Sequence, residues 1–250
     1  MFMRFVQLKL DPGRVAEFRK LYDEHVIPVL HSTPGCLYAS LIQSIDEEGE
    51  CISMTIWDKQ LSAEAYEQHG TYSDLMKGVT MYLADSSEWK VQLSKDLTMQ
   101  YERVSEEPVV QAYQVTTPQA SRSIPEESAL YVRIVSPQVR EGMEAEFQKI
   151  YQESVLPVLR TVKGCRYVYL TKSSGEANRY LSVTIWDSKQ DAEAYEKSGV
   201  FDKLTEKLRP TLSDLYQWKM QLDRKLQKPG APPVDLSVEG YTVVTGKSFI

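Results

Sequence analysis

The chain has 250 residues, 42% of them hydrophobic and 26% charged, with only 12 glycines and 12 prolines, which sets it among folded globular proteins and excludes fibrous or disordered classes. A formal charge of −6 lacks the positive field that a phosphate backbone requires, so no nucleic-acid partner is expected. No apolar run reaches membrane-span length, Met1-Phe2-Met3-Arg4 leads straight into a strand pattern, and Cys36, Cys51 and Cys165 have no CxxC spacing, so a cytoplasmic protein with reduced thiols and no zinc site or membrane is expected.

Residues 3–10 mix β-branched, aromatic and aliphatic types, and Asp11-Pro12-Gly13 closes the run with turn chemistry, which predicts a strand. From Val15 the apolar positions 15, 18, 21, 22, 26, 29 and 30 form a helical stripe. Pro28 lies late in that helix and should bend or end it, after which Gly35 releases the chain. Residues 36–43 and 50–57 read as two strands of a hairpin around the acidic loop Asp46-Glu47-Glu48-Gly49. In the second of these, Ile52, Met54 and Ile56 face one way and Ser53, Thr55 and Trp57 the other, since side chains alternate along a strand. A short helix over about 62–69 is predicted to start at a capping residue, Ser62 or its counterpart Asp191 in the second half of the chain, and to stop at Gly70 or Gly199. A third helical stretch is expected to run to about 86, and a last strand falls near 109–117.

The same series then recurs. Residues 3–93 overlie 132–222 at an offset of 129 without insertion, with 37 of 91 positions identical. Thr55-Ile56-Trp57-Asp58 returns as Thr184-Ile185-Trp186-Asp187, and Ala63-Glu64-Ala65-Tyr66-Glu67 as Ala192-Glu193-Ala194-Tyr195-Glu196. Gly35-Cys36-x-Tyr38 returns as Gly164-Cys165-x-Tyr167. A period this long is a duplicated domain, giving domains at 1–117 and 129–250 with a polar, proline-containing linker over 118–128. Each βαββαβ copy predicts an α+β ferredoxin-like sheet with helices on one face. The other face needs a cover, and a tethered twin supplies one, so the expected architecture is an intrachain pseudo-dimeric α+β barrel, with a further homodimer as an open option.

The stretch TIWDSKQDAEAYEKSGVF, with the glycine-cysteine turn after helix one, resembles the hallmark segment of antibiotic biosynthesis monooxygenase domains, and the resemblance covers nearly all of both copies. It implies a dimeric α+β barrel fold. Heme-degrading members carry a tryptophan where Tyr66 and Tyr195 stand, a histidine iron ligand where Met76 and Thr205 fall, and an asparagine in strand one. This chain departs from all three, so no heme, metal or other cofactor is expected. Cofactor-independent members oxidise electron-rich phenols, quinols or related polyketides by letting the ionised substrate donate to dioxygen, in an aromatic pocket with one or two polar groups. The resemblance therefore implies a monooxygenase acting on a small aromatic or quinol-like molecule. The alternative is a non-catalytic small-molecule-binding or stress-response protein, with a heme-degrading monooxygenase as a third, less favoured reading.

Candidate catalytic groups are Tyr66 and Tyr195, whose phenols could hydrogen-bond a substrate oxygen, and His25, whose imidazole is the side chain most often used as a general base. Each tyrosine suits a helix-to-sheet core contact equally well. The second copy replaces His25 with Ser154, so a catalytic His25 would leave only the first copy active. Candidate substrate-binding groups are Arg4 and Arg133 for an anionic oxygen, with Tyr22, Tyr151, Trp57 and Trp186 as walls. Their bland readings are a snorkelling arginine, core tyrosines and tryptophan plugs.

Overall fold

The computed structural model describes residues 1–93, 99–105, 108–116, 130–175, 178–213 and 237–249, so the expected linker over 118–128 lies outside the described residues. The first copy runs β1 (Phe2–Lys9), α1 (Val15–Leu21), a π turn (Tyr22–Val26), α2 (Ile27–Ser32), β2 (Cys36–Ser44), β3 (Glu50–Trp57), α3 (Gln60–Gln68), α4 (Thr71–Val79), β4 (Asp85–Leu93), β5 (Met99–Ser105) and β6 (Val109–Val115). The second runs β7 (Tyr131–Ser136), α5 (Glu144–Ile150), a π turn (Tyr151–Val155), α6 (Leu156–Leu159), β8 (Cys165–Ser173), β9 (Tyr180–Trp186), α7 (Lys189–Lys197), α8 (Val200–Leu208) and β10 (Ser237–Ser248).

The first-copy strands follow the order β1-β3-β2, with β4-β5 as a separate two-stranded sheet, and those of the second-copy unit the order β10-β7-β9-β8-β6. The chain forms two compact units. The unit built on the second copy also takes residues 1–3 and β6 from residue 112, and the unit built on the first copy also takes β10 from residue 244. Within the second-copy unit β7 pairs with β9 and β10, and β8 pairs with β9 and β6, all antiparallel. Within the first-copy unit β2 pairs with β3, with Ala39 opposite Thr55, and Phe249 N–H donates to the Leu37 carbonyl at 2.9 Å.

Both faces of β3 are buried. Ile52, Met54 and Ile56 are 4%, 0% and 2% exposed on one face, and Thr55 and Trp57 are 3% and 0% exposed on the other, so the face predicted to need a cover is not left wet. On helix one the predicted stripe buries Phe18, Tyr22, Val26 and Leu30.

Of the two outcomes expected at Pro28, a bend or an end, helix one does not take the end: the chain widens into the π turn at Tyr22–Val26, with Ile27 N–H bonded to the Tyr22 carbonyl, and continues to Ser32. The extra residue loosens the row of carbonyls just before the proline, where a regular turn would meet its ring. The short helix begins at Gln60 and Lys189 rather than at Ser62 and Asp191. In the second copy the cap is Ser188, whose hydroxyl accepts the Asp191 N–H at 3.2 Å.

The third helical stretch stops at Val79 with a 3-10 turn over Thr80–Tyr82, and a strand, β4, follows instead of helix to 86. Long-range pairing captures the chain there: Asp11 N–H donates to the Tyr82 carbonyl at 2.9 Å and Ala84 N–H to the Lys9 carbonyl at 2.8 Å. These bonds to the end of β1 replace the local helical ones.

Candidate functional site

Each unit has a partly open cavity of about 40 Å³ between its sheet and its helices. That exceeds the roughly 10–15 Å³ needed for one water. The first is lined by Arg4, Tyr22, Ser53, Thr55, Tyr66 and Tyr72 among aliphatic side chains; the second by Arg133, Tyr151, Ser182, Thr184, Tyr195 and Phe201. Strand alternation places Ser53 and Thr55 on the helix-facing side of β3, and the helix-one stripe brings Tyr22 down onto them.

The polar frame is the same in both copies. Arg4 is 3% exposed and donates through Nε to Glu67 Oε1 at 2.6 Å; Arg133 does the same to Glu196 at 2.6 Å. The Arg4 guanidinium carbon lies 4.2 Å from the Tyr72 ring centre, and that of Arg133 lies 4.3 Å from the Phe201 ring centre. Arg4 Nη2 and Arg133 Nη2 are buried without a hydrogen-bond partner. The Tyr22 hydroxyl pairs with Ser53 Oγ at 2.8 Å, and that of Tyr151 with Ser182 Oγ at 2.6 Å. Thr55 donates to the Arg4 carbonyl at 3.3 Å and accepts the Trp57 indole N–H at 2.9 Å, tying β3 to the strand that carries the arginine. Thr184, opposite Arg133 in the ladder, makes the matching pair at 3.3 and 2.8 Å.

Burial holds the Tyr22, Tyr66, Tyr151 and Tyr195 phenols above their ordinary range. At Tyr66 and Tyr195 the nearby Arg4 and Arg133 charges pull the other way but do not win. Burial also pushes the Cys36 and Cys165 thiols up to about 12. At neutral pH the four phenols are therefore uncharged donors rather than bases, and the thiols are poor nucleophiles. Neither cavity has a carboxylate or imidazole among its lining side chains. The arrangement can hold an anionic oxygen against a guanidinium N–H, inside an apolar, aromatic wall.

Of the residues singled out in the sequence, the structure brings together Arg4, Tyr22 and Tyr66 in one cavity and Arg133, Tyr151 and Tyr195 in the other. Trp57 and Trp186 are fully buried behind them, packed on Tyr66 and Tyr195 with ring centres 5.3 and 5.2 Å apart, and line neither cavity. His25 is exposed on the π turn and is not a lining residue. Sequence reasoning missed Ser53, Thr55, Glu67, Tyr72 and their counterparts. A signal was present for the first three, because each is a polar residue kept identical between copies, and two of them share a strand face with an indole.

The chain belongs to the antibiotic biosynthesis monooxygenase family, whose model matches residues 1–78 and 130–207. Among solved structures it is similar to a candidate monooxygenase of Fusobacterium nucleatum subsp. nucleatum, with a TM-score of 0.68 and 8% identity over 99% of this chain and 94% of the other. A candidate monooxygenase of Lactobacillus acidophilus gives 0.66 at 6% identity, over 99% and 96%. An anthrone oxidase-like protein gives 0.58 at 14%, over 99% and 93%. At these identities the likeness establishes the fold. No curated protein matches the sequence. Among the described residues no helix is long and apolar enough to cross a membrane.

Proposed function

We propose that the chain is a cofactor-independent monooxygenase acting on small phenolic or quinol-like compounds, with the buried arginine of each copy holding the ionised substrate oxygen. The observation that carries this is the unpartnered, buried Nη2 of Arg4 and Arg133, each beside a cavity of tyrosines and aliphatic side chains. A buried guanidinium N–H without a partner is costly, and an anionic ligand would satisfy it. In the reaction the ionised substrate gives electrons to dioxygen and a carbon–oxygen bond forms. The resulting hydroperoxide then loses water, its outer O–H leaving with the hydrogen of the same ring carbon, so a ring C–H becomes C=O and one oxygen atom is incorporated. The chain's residues bind and orient the anion, and the neutral phenols of Tyr66 and Tyr195 stand as hydrogen-bond donors to developing charge on oxygen.

The second reading, a binder without turnover, is favoured by one observation: the lining side chains include no proton acceptor. Oxygen uptake and product chromatography with a panel of quinols and anthrones, on the parent chain and on Arg4→Met/Arg133→Met, test both. Enzyme-dependent uptake abolished by the double substitution supports the monooxygenase. Saturable binding with no uptake for any compound supports the binder and overturns the monooxygenase.

A further inference from the structure

The two cavities set a size and a sign for what fits wholly inside them. At about 40 Å³ each has room for about three water-sized bodies, at roughly 10–15 Å³ apiece, which means a species of one to three heavy atoms. Of the 14 positions that line the first cavity, 10 have the same residue in the second, and the buried arginine and the Tyr66/Tyr195 phenol are among them.

The polar groups left over in each cavity are donors. Thr55 and Thr184 are engaged twice, donating to the arginine carbonyl and accepting the indole N–H, and the Tyr22 and Tyr151 hydroxyls are paired with Ser53 and Ser182. What remains in the first cavity is Arg4 Nη2, with the Tyr66 and Tyr72 hydroxyls, which no hydrogen bond among the described residues engages; in the second it is Arg133 Nη2, with those of Tyr195 and Thr205. A guanidinium only donates, and it stays charged. A buried water makes about three hydrogen bonds and brings two hydrogens of its own, for which no carboxylate, imidazole or amide oxygen stands among the lining side chains. An anion needs donors alone. Glu67 and Glu196 compensate the arginines only in part, because each bonds Nε and has a side chain 43% or 42% exposed, so solvent screens much of its charge. The rest of the wall is aliphatic and aromatic and returns none of the hydration that a doubly charged ion would give up.

We propose that each cavity binds one singly charged inorganic anion of one to three heavy atoms, a halide or thiocyanate, on the free guanidinium N–H, two per chain, and that a substrate oxygen must displace it. This rests on the anion-anchor reading given under Proposed function and not on turnover. The probe is chloride, followed by its NMR line width on the full chain, with thiocyanate and sulfate as competitors at matched ionic strength.

Excess broadening should be removed by thiocyanate but not by sulfate, about halved by Arg4→Met or Arg133→Met alone, and abolished by the two together. Glu67→Gln with Glu196→Gln keeps an acceptor for Nε and removes a competing charge, so chloride should bind about 3- to 10-fold more tightly, an effect that a purely structural arginine would not show. If an arginine variant fails to fold, bromide diffraction from the unaltered chain asks the same question: one anomalous peak per cavity, within hydrogen-bond distance of Nη2, is expected. No broadening by the unaltered chain, broadening that survives the double arginine substitution, bromide peaks elsewhere only, or sulfate competing as well as thiocyanate overturns the proposal. Chloride bound at the arginines without quinol-dependent oxygen uptake upholds it and sinks the monooxygenase, whereas arginine-dependent uptake with no chloride bound does the reverse.

Discussion

Replacing Arg4 and Arg133 by methionine separates a binding role for these residues from a packing role. The substitution removes the Nε bond to Glu67 or Glu196, a charge-assisted bond with a net contribution of about 1.5–3 kcal/mol. It also removes a guanidinium–ring contact of about 0.5–1 kcal/mol. Against this it relieves a buried N–H with no partner, which costs about 1–3 kcal/mol. The stranded carboxylate adds little, because the Glu67 and Glu196 side chains are 43% and 42% exposed and can rehydrate. Methionine fills the space of the arginine stem with an apolar, adaptable chain. The terms nearly cancel, so each unit should change in stability by less than about 2 kcal/mol. A bound anion would lose its own charge-assisted bond, and its affinity should fall about 10- to 100-fold. Urea unfolding by circular dichroism, alongside 4-nitrophenol titration, reads both quantities on one preparation. A loss of 3–5 kcal/mol with affinity unchanged would falsify the reasoning, because the guanidinium would then be a structural strut.

Gly35→Ala and Gly164→Ala should each destabilise by about 1–3 kcal/mol in urea unfolding: both glycines have φ near +80°, at 84° and 80°, and an added Cβ would come within 2.6 Å of side chains of Asp58 and Ser62 or of Asp191. A double-mutant cycle of Tyr22→Phe and Ser53→Ala should return a coupling of about 1 kcal/mol, and a coupling near zero would mean that the 2.8 Å contact contributes nothing. Stability should fall at alkaline pH. The buried thiols and phenols have raised native values, so above the ordinary 9.0 for cysteine and 10.0 for tyrosine the unfolded chain releases protons that the native chain retains. That contribution is whole below pH 9.0 and is lost as pH rises through about 12, which pH-dependent urea midpoints would register. Cys36 and Cys51, both buried with thiols pushed up to about 12, should react with a thiol reagent at pH 8 only after unfolding, and rapid labelling of the native protein would contradict the burial.

The sequence by itself determined the duplication, the order of strands and helices through Val79 in the first copy and Leu208 in the second, and the family, because a repeat at a fixed offset and alternating or helical apolar spacing are properties of the chain read in one dimension. It also placed Arg4, Tyr22 and Tyr66 as candidates, since each recurs at its counterpart. Only the tertiary structure decided where the third helix stops, because the bonds that end it run from β1, and only it revealed the π turn and β5. It likewise decided which of the repeated polar residues meet. Tyr22 and Ser53 are 31 positions apart and Arg4 and Glu67 are 63 apart, separations at which pattern carries no distance. That one guanidinium nitrogen in each cavity is left without a partner is a property of three-dimensional packing alone, for local spacing fixes which face a side chain takes but not whether anything stands opposite it.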